Sequence, residues 1–172
     1  LYTQSSSTAS LDLYGAICEL EDNSIIVSHW LPNTAGTKAQ IQTWRSTDGT
    51  TWTKISSQAL DNALDIGSTF GAGNSGYEVQ KTRMRSIDGQ ILLIAHLLGH
   101  NTSLSSTDLV GQWVSVDGGT SFQLVEISDG TSAFSQPELL IVGGKFAIVY
   151  HESVDTTKMV FLPNPYTGVK TA

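Results

Sequence analysis

Apolar and polar residues alternate in short segments of this chain, and Gly, Asn, Asp or Pro separates one segment from the next. Such alternation, rich in β-branched residues, is typical of β-strands that bury one face. The pattern predicts two similar groups of four strands and a third group of three. The predicted strands span residues 14–20, 24–31, 38–45 and 52–57, then 80–87, 90–97, 109–115 and 122–127, then a strand starting at 136 followed by 145–151 and 158–162.

Tight-turn sequences join the first two strands of each group, at Asp22-Asn23, Asp88-Gly89 and Gly143-Gly144. These residue types favour hairpins, because they tolerate the left-handed backbone conformation that such turns require. Residues 60–79 and 99–108 show little periodicity and are predicted to be loops. We therefore expect repeated antiparallel meanders near residues 13–60, 79–128 and 134–172, preceded by a linker or processed N-terminal edge at residues 1–12.

Two similar stretches connect the third and fourth strands of the first two groups. Residues 46–52 read Ser-Thr-Asp-Gly-Thr-Thr-Trp and residues 115–122 read Ser-Val-Asp-Gly-Gly-Thr-Ser-Phe. Ser and Asp side chains bond nearby backbone amides, glycine accepts positive φ, and an aromatic side chain covers the turn. We expect a structural role for the residues of this pattern, which are Ser46, Asp48, Gly49, Trp52, Ser115, Asp117, Gly119 and Phe122.

These stretches resemble the Asp-box, Ser-x-Asp-x-Gly-x-Thr/Ser-Trp/Phe, of sialidase-like (BNR repeat) β-propellers, the earlier copy being one residue shorter. The resemblance implies an all-β β-propeller of four-stranded antiparallel blades, of which about three are visible. Each blade of a propeller packs against two neighbours, so three blades leave two faces bare. Missing blades or other protein chains are the expected cover. A single β-sandwich of ten to twelve strands is the alternative architecture.

Composition narrows the possible partners. A net charge of −7 argues against binding to phosphate backbones, so nucleic acid is not expected as a partner. No apolar run approaches the length of a membrane helix, so no membrane insertion is expected. Cys18 is the one cysteine, which excludes an intrachain disulfide and leaves the redox compartment open. No cofactor motif is present, and no cofactor or metal is expected.

Three cations, Lys81, Arg83 and Arg85, alternate along the predicted first strand of the second group. Alternation places all three on one face of that strand. Burying them without partners would cost free energy, so they must meet carboxylates, water or an acidic ligand. Glu19 and Glu138, on the corresponding strands of the other groups, are the candidate partners. The cluster is either an inter-blade ion-pair network or a site whose arginines bind the carboxylate of an acidic sugar.

Histidines recur near the ends of the second strands, at His29, His96 and His151. The resemblance would put these positions on the binding face, opposite the Asp-boxes. Aromatic rings stack on sugar C–H faces, while imidazoles and amides bond hydroxyls. The other candidate ligand-binding residues of this face are Trp30, His100 and Asn101, with the loop at residues 61–77 nearby. Equivalent positions on separate blades would be too far apart to share a zinc ion.

These observations favour a carbohydrate-binding module, a lectin or receptor-binding adhesin, extracellular and displayed on a cell surface or a virion, as in a phage tail appendage. One alternative is a glycoside hydrolase whose active site is completed by a longer chain or another subunit; a structural assembly module is the other. Sialidases of the resembled family use an arginine triad with a tyrosine nucleophile, assisted by Glu, and an Asp acid/base. This chain has three arginines and lacks the family's Arg-Ile-Pro motif, so no catalytic residue is assigned.

Overall fold

A computed structural model describes residues 15–31, 40–59, 74–101, 107–127, 135–153 and 156–162. Within these segments the chain forms β-strands joined by turns. In chain order the strands are β1 (Gly15–Glu19), β2 (Ile25–Leu31), β3 (Gln40–Ser46), β4 (Thr53–Ala59), β5 (Asn74–Ile87), β6 (Gln90–Asn101), β7 (Thr107–Ser115), β8 (Gln123–Ile127), β9 (Ser135–Val142), β10 (Lys145–Ser153) and β11 (Thr156–Phe161).

The strands form three antiparallel sheets in simple sequence order. The sheets are β1-β2-β3-β4, β5-β6-β7-β8 and β9-β10-β11, which we call blades 1, 2 and 3. Each strand pairs with the next one along the chain, so every sheet is a meander. The predicted arrangement of two four-stranded units and a third with three strands is therefore confirmed within the described residues.

Two of the predicted loops are shorter than expected. Strand β5 begins at Asn74, so the assignment of residues 74–79 to a loop was wrong; Glu78, for example, pairs with Leu98. Strand β6 continues to Asn101 and β7 begins at Thr107, which shortens the loop predicted at residues 99–108. Backbone pairing does not require alternating side chains, and irregular register near Gly76 lets the ladder continue. The linker predicted at residues 1–12 and the loop residues 60–73 lie outside the described segments.

The first hairpin turns of blades 2 and 3 have the predicted backbone conformation, whereas in the Asp22-Asn23 turn of blade 1 only Asn23 has a positive φ, of 62°. Asp88 and Gly89 have φ of 50° and 72°, and Gly143 and Gly144 have φ of 58° and 72°. Two successive positive φ values are the pattern of a type I′ turn, whose twist matches that of the flanking strands. The Asp-Gly and Gly-Gly pairs in the sequence therefore determine where the chain turns between the first and second strands of blades 2 and 3.

Blade 2 lies between the other two blades and buries both faces. Strand β5 packs beside β1 on one side and beside β9 on the other, so the first strands of the blades are neighbours. Leu93 and Ala95 face a core shared with blade 1, whereas Leu92 and Ile94 face a core shared with blade 3. All four side chains are fully buried. A two-layer sandwich buries one face of each sheet, so the sandwich alternative is excluded.

The face of blade 3 that points away from blade 2 is apolar and exposed. Register places Leu140 and Phe161 on either side of Ala147, and Met159 beside Val149. Leu140, Met159 and Phe161 are 39%, 50% and 52% exposed, whereas Leu139, Phe146 and Ile148 on the other face are buried in the core shared with blade 2. On blade 1, Ile17 is similarly exposed. These are the bare faces that the repeat predicts, and their cover by further blades or other chains stays a prediction.

Among the described residues there is no helix with the length and hydropathy needed to cross a membrane.

The turn of blade 2 at residues 115–122 permits a matched test of packing. A Cβ at Gly119 would lie 2.0 Å from Ile26 Cδ1, and φ there is 88°. Gly143 has φ of 58° but open space around it. We expect Gly143→Ala to lower the free energy of unfolding by about 1 kcal/mol through backbone strain alone. Gly119→Ala should cost roughly 3 kcal/mol, because overpacking adds to that strain.

Urea denaturation followed by tryptophan fluorescence would measure both variants. Equal losses in the two would contradict the docking of the blade 2 turn against Ile26.

Candidate functional site

The turn at residues 46–52 is held by the side chains of Ser46 and Asp48. Ser46 Oγ donates to Asp48 Oδ1 (3.0 Å) and accepts from the backbone N–H of Gly49 (2.8 Å). Asp48 Oδ1 accepts from the N–H groups of Thr50 and Thr51, both at 2.7 Å. The N–H of Thr51 and then that of Thr50 hold the pKa of the Asp48 carboxyl well below its usual range. The predicted hydrogen bonding is confirmed.

The turn at residues 115–122 repeats this arrangement. Ser115 Oγ donates to Asp117 Oδ1 (2.8 Å) and accepts from the N–H of Gly119 (2.9 Å). Partial burial alone would raise the pKa of Asp117, but hydrogen bonds, chiefly from Ser121, lower it on balance. The hydrogen bonds of both aspartates go to residues of their own turns, which is the arrangement expected of residues that stabilise the fold.

The blade 2 turn also fastens two blades together. Thr43 Oγ1 of β3 donates to the carbonyl of Gly119 (2.8 Å). Phe122 is 2% exposed and belongs to the core between blades 1 and 2, whereas Trp52 of the earlier turn is half-buried. The sequence motif identified the turn but not its contact with Thr43, because a lone threonine in a strand carries no signal.

The cations of β5 meet a carboxylate of β9 where blades 2 and 3 adjoin. Lys81 Nζ donates to Glu138 Oε1 (2.5 Å). Arg83 donates two hydrogen bonds to the same carboxylate, from Nε to Oε2 (2.7 Å) and from Nη2 to Oε1 (3.0 Å). We call Lys81, Arg83, Arg85 and Glu138 the charged cluster. Two of the three cations, Lys81 and Arg83, therefore pair with Glu138 as the sequence predicts, and Arg85 does not.

The charged cluster is accessible at a point where strands of two blades meet. The Lys81, Arg83 and Glu138 side chains are 22%, 35% and 45% exposed. The hydrogen bond from Arg83, followed by that from Lys81, lowers the pKa of Glu138 to about 2, although partial burial opposes the shift. Glu138 is thus a carboxylate at neutral pH, and a ligand could reach it together with its partners.

The other predicted carboxylate, Glu19, does not join the charged cluster. It ends β1 beside the turn at residues 21–24, is exposed, and forms no ion pair among the described residues. Arg83 lies further from the corresponding turn of blade 2, which follows Ile87. Glu19 and Arg83 therefore lie at different distances from the turns that follow their strands.

Arg85 has no carboxylate within 4.0 Å among the described residues. Its Nη1 donates to the carbonyl of Met84 (2.9 Å). Its positive charge acts on the nearby thiol of Cys18, whose pKa burial raises to about 12 against that influence. Cys18 is therefore a neutral, buried core residue, as its apolar neighbours in the sequence suggest.

The three strand-end histidines occupy different environments. His96 lies opposite Lys81 in the β5–β6 register but is 8% exposed, so it offers little surface to a ligand. His29 is half-buried, and burial followed by the charge of Lys54 lowers its pKa. His151 is exposed, with Nδ1 3.2 Å from Thr157 Oγ1. The side chains of Trp30, His100 and Asn101 fall outside the described part, so the proposed aromatic platform stays a prediction.

A concave region lies beside the turns of blades 1 and 2. It is a cleft of about 170 Å³ lined by residues that include Glu21, Asp22 and Arg45. Arg45 pairs with Asp22, and Glu21 Oε1 accepts from the N–H of Gly89 (3.0 Å). These charges bridge strands and turns of the fold, so we favour the charged cluster as the candidate site.

Within the described segments no group of three His, Cys, Asp or Glu side chains could hold a metal ion. What the charged cluster can do chemically is donate charge-assisted hydrogen bonds and accept them at Glu138.

No protein-family model and no curated protein sequence matches the chain. Solved structures do match. An alpha-L-arabinanase from Penicillium chrysogenum, complexed with arabinobiose, aligns over 87% of this chain and 44% of its own, with 19% identity and a TM-score of 0.56. The described sheets are blades of a β-propeller.

Two further propellers are similar to the chain. A GH43 beta-1,3-galactosidase aligns over 91% of this chain and 33% of its own (12% identity, TM-score 0.60). A xylan beta-1,4-xylosidase from Bacillus halodurans C-125 aligns over 90% and 29% (14% identity, TM-score 0.54). The chain spans less than half the length of each of these three proteins. At such identities the likeness shows the fold alone, and it is a likeness to glycoside hydrolase propellers rather than to sialidases.

The lowered pKa of Glu138 predicts a specific acid sensitivity. Its ordinary pKa near 4.5 falls to about 2 in the folded chain, so the ion pairs contribute full stability above pH 4.5. That contribution should disappear as the pH falls from about 4.5 to about 2. We expect Glu138→Gln to lower the thermal midpoint at pH 6, because Lys81 and Arg83 lose their partner, and to lower it less at pH 3.

Differential scanning calorimetry of both proteins across this pH range would measure the difference. A gap between the two midpoints that stays constant from pH 6 to pH 3 would contradict the ion pairing.

Proposed function

We propose that this propeller binds carbohydrate and that the charged cluster forms part of its binding site. The main observation in support is that Lys81, Glu138 and Arg83 form an accessible ion-paired assembly at the junction of two blades. Adjacent donors and acceptors of this kind can bond neighbouring hydroxyls of one sugar ring. Ion pairing holds the three side chains in place, which lowers the entropy cost of binding.

The fold neighbours support a carbohydrate ligand. The names of the three proteins refer to arabinan, beta-1,3-galactoside and xylan chemistry, and one of the structures contains arabinobiose. A shared fold does not transfer a substrate, so the sugar bound by this chain has to come from its own site. The polar groups of the charged cluster are the basis of the proposed binding, and the fold neighbours support it.

More specifically, we propose that the protein is a lectin or a receptor-binding protein that acts outside the cell or on a virion. The two Ser-x-Asp turns and their resemblance to the sialidase-like Asp-box motivate it. His151, which is exposed on β10, is one further side chain that could contact a ligand.

Binding can be tested with oligosaccharides that cover the chemistry of the fold neighbours. We expect the chain to bind at least one arabino-, galacto- or xylo-oligosaccharide on a glycan array or by calorimetry. Glu138→Gln should weaken that binding about tenfold, since it removes a charged acceptor and releases the cations from their fixed positions. Glu21→Gln, an exposed carboxylate at the turn end, is the control and should bind normally.

Unchanged affinity in Glu138→Gln, with binding by the parent chain, would move the site away from the charged cluster. Absence of binding to every glycan would overturn the proposed function.

Glycoside hydrolysis is the second candidate function, and the state of Glu138 favours one role in it. A carboxylate with a lowered pKa suits a general base or a charge stabiliser, while a general acid needs a raised pKa. A hydrolase would therefore need a separate acid, from residues outside the described segments or from another chain. The fold neighbours fit this alternative at least as well as the lectin.

Incubation with arabinan, galactan and xylan, followed by measurement of new reducing ends, separates the two candidates. A hydrolase should release sugar, and Glu138→Gln should reduce the rate roughly a hundredfold or more. Binding without any release of reducing ends would support the lectin function and exclude glycoside hydrolysis of these substrates.

A further inference from the structure

The charged cluster contains more positive than negative charge. Its three cations, Lys81, Arg83 and Arg85, face a single carboxylate, Glu138, in a chain whose net charge is −7. Lys81 and Arg83 share that carboxylate, so Arg85 is left without a counter-charge among the described residues. Its charge also acts on the thiol of Cys18, but that thiol is neutral and supplies no counter-charge.

Arg83 shows how such a guanidinium binds a carboxylate in this protein. Its Nη1 donates to the carbonyl of the preceding residue, Thr82 (2.8 Å), and its Nε and Nη2 edge grips Glu138. Arg85 is held in the same way, with Nη1 bonded to the carbonyl of Met84 (2.9 Å). Its Nε and Nη2 edge has no acceptor among the described residues. Arg85 thus repeats the anchoring of Arg83 but lacks the anion.

We propose that this site selects glycans that carry an anionic group, a carboxylate or a sulfate, and that Arg85 binds this group through its Nε and Nη2 edge. The inference rests on the proposed carbohydrate binding and adds the class of sugar to it. Alternation of residues along β5 puts Arg85 on the same face as Arg83 and Lys81. One sugar unit at Arg85 could therefore continue into a second unit at the Lys81–Glu138–Arg83 assembly.

The two sources of the anion differ in geometry. A uronic acid carboxylate has two coplanar oxygens that match the fork of a guanidinium, as Glu138 does with Arg83. A sulfate presents three oxygens and accepts a similar pair of bonds with less angular restriction. Both give binding that weakens with salt, because the contact is a partly exposed ion pair.

Calorimetry with matched ligands would test the inference. The probes are an oligogalacturonate, the same oligosaccharide as its neutral methyl ester, a neutral galacto-oligosaccharide and a sulfated form of it. We expect an anionic member to bind at least about tenfold more tightly than its neutral partner in low salt. Tighter binding of the oligogalacturonate assigns a carboxylate, and tighter binding of the sulfated sugar assigns a sulfate.

Variants of Arg85 identify the residue responsible. Arg85→Gln should remove the preference for the anionic sugar, so that the charged and the neutral member of each pair bind with similar affinity. Arg85→Lys, which keeps the charge but loses the fork, should retain part of the preference. Lys54→Gln removes a cation from the outermost strand of blade 1 and is the charge-matched control. Thermal unfolding of each variant checks that it is folded.

The outcomes distinguish the inference from the proposed function. Equal affinity for charged and neutral sugars would overturn the inference and leave carbohydrate binding in place. A preference that survives Arg85→Gln would overturn the assignment to Arg85. Failure to bind any of the probes, charged or neutral, would overturn the inference, and it would overturn carbohydrate binding as well only if the arabino- and xylo-oligosaccharides also fail to bind.

Discussion

Burial of both faces of the middle sheet is the constraint on which the rest of this structure depends. Residues 91–97 of β6 are all buried, although successive side chains point to opposite sides. Such a strand has no solvent face, so it can exist only between two other sheets. The continuous apolar run that results would be read in isolation as a buried strand or a helix, and only the repeat identifies it as the centre of a blade.

The charged cluster is a consequence of this layering. Since blades 2 and 3 approach each other along β5 and β9, alternate residues of β5 face β9, and those residues are cations. Fully buried, they would impose a large desolvation cost, but their partial exposure keeps that cost moderate. The same exposure that makes the ion pairs tolerable also makes them accessible to a ligand. The stabilising and the recognition roles of these residues therefore do not exclude each other.

The sequence predicted those features that depend on local chemistry. The Ser-x-Asp turns, the Asp-Gly and Gly-Gly hairpins and the cation-bearing face of β5 each follow from residues a few positions apart. The start of β5 at Asn74 and the choice of Glu138 over Glu19 depend on pairing between distant segments and on height along a strand. The burial of His96 is of the same kind, because its position at a strand end in the sequence does not show that β6 continues to Asn101.

The two faces of blade 2 differ in the shape of the side chains they present. The face toward blade 1 carries Trp113 and Phe122, in a core to which blade 1 contributes Ala16, Cys18, Ile26 and Ile41. In the core shared with blade 3, the buried apolar side chains of blade 2 are aliphatic, and the aromatic ring is Phe146 of blade 3. At both interfaces the fully buried aromatic rings therefore come from the blade that is later in the chain. The two faces of a blade are therefore not interchangeable. A blade inserted in the reverse orientation would match neither of its neighbours.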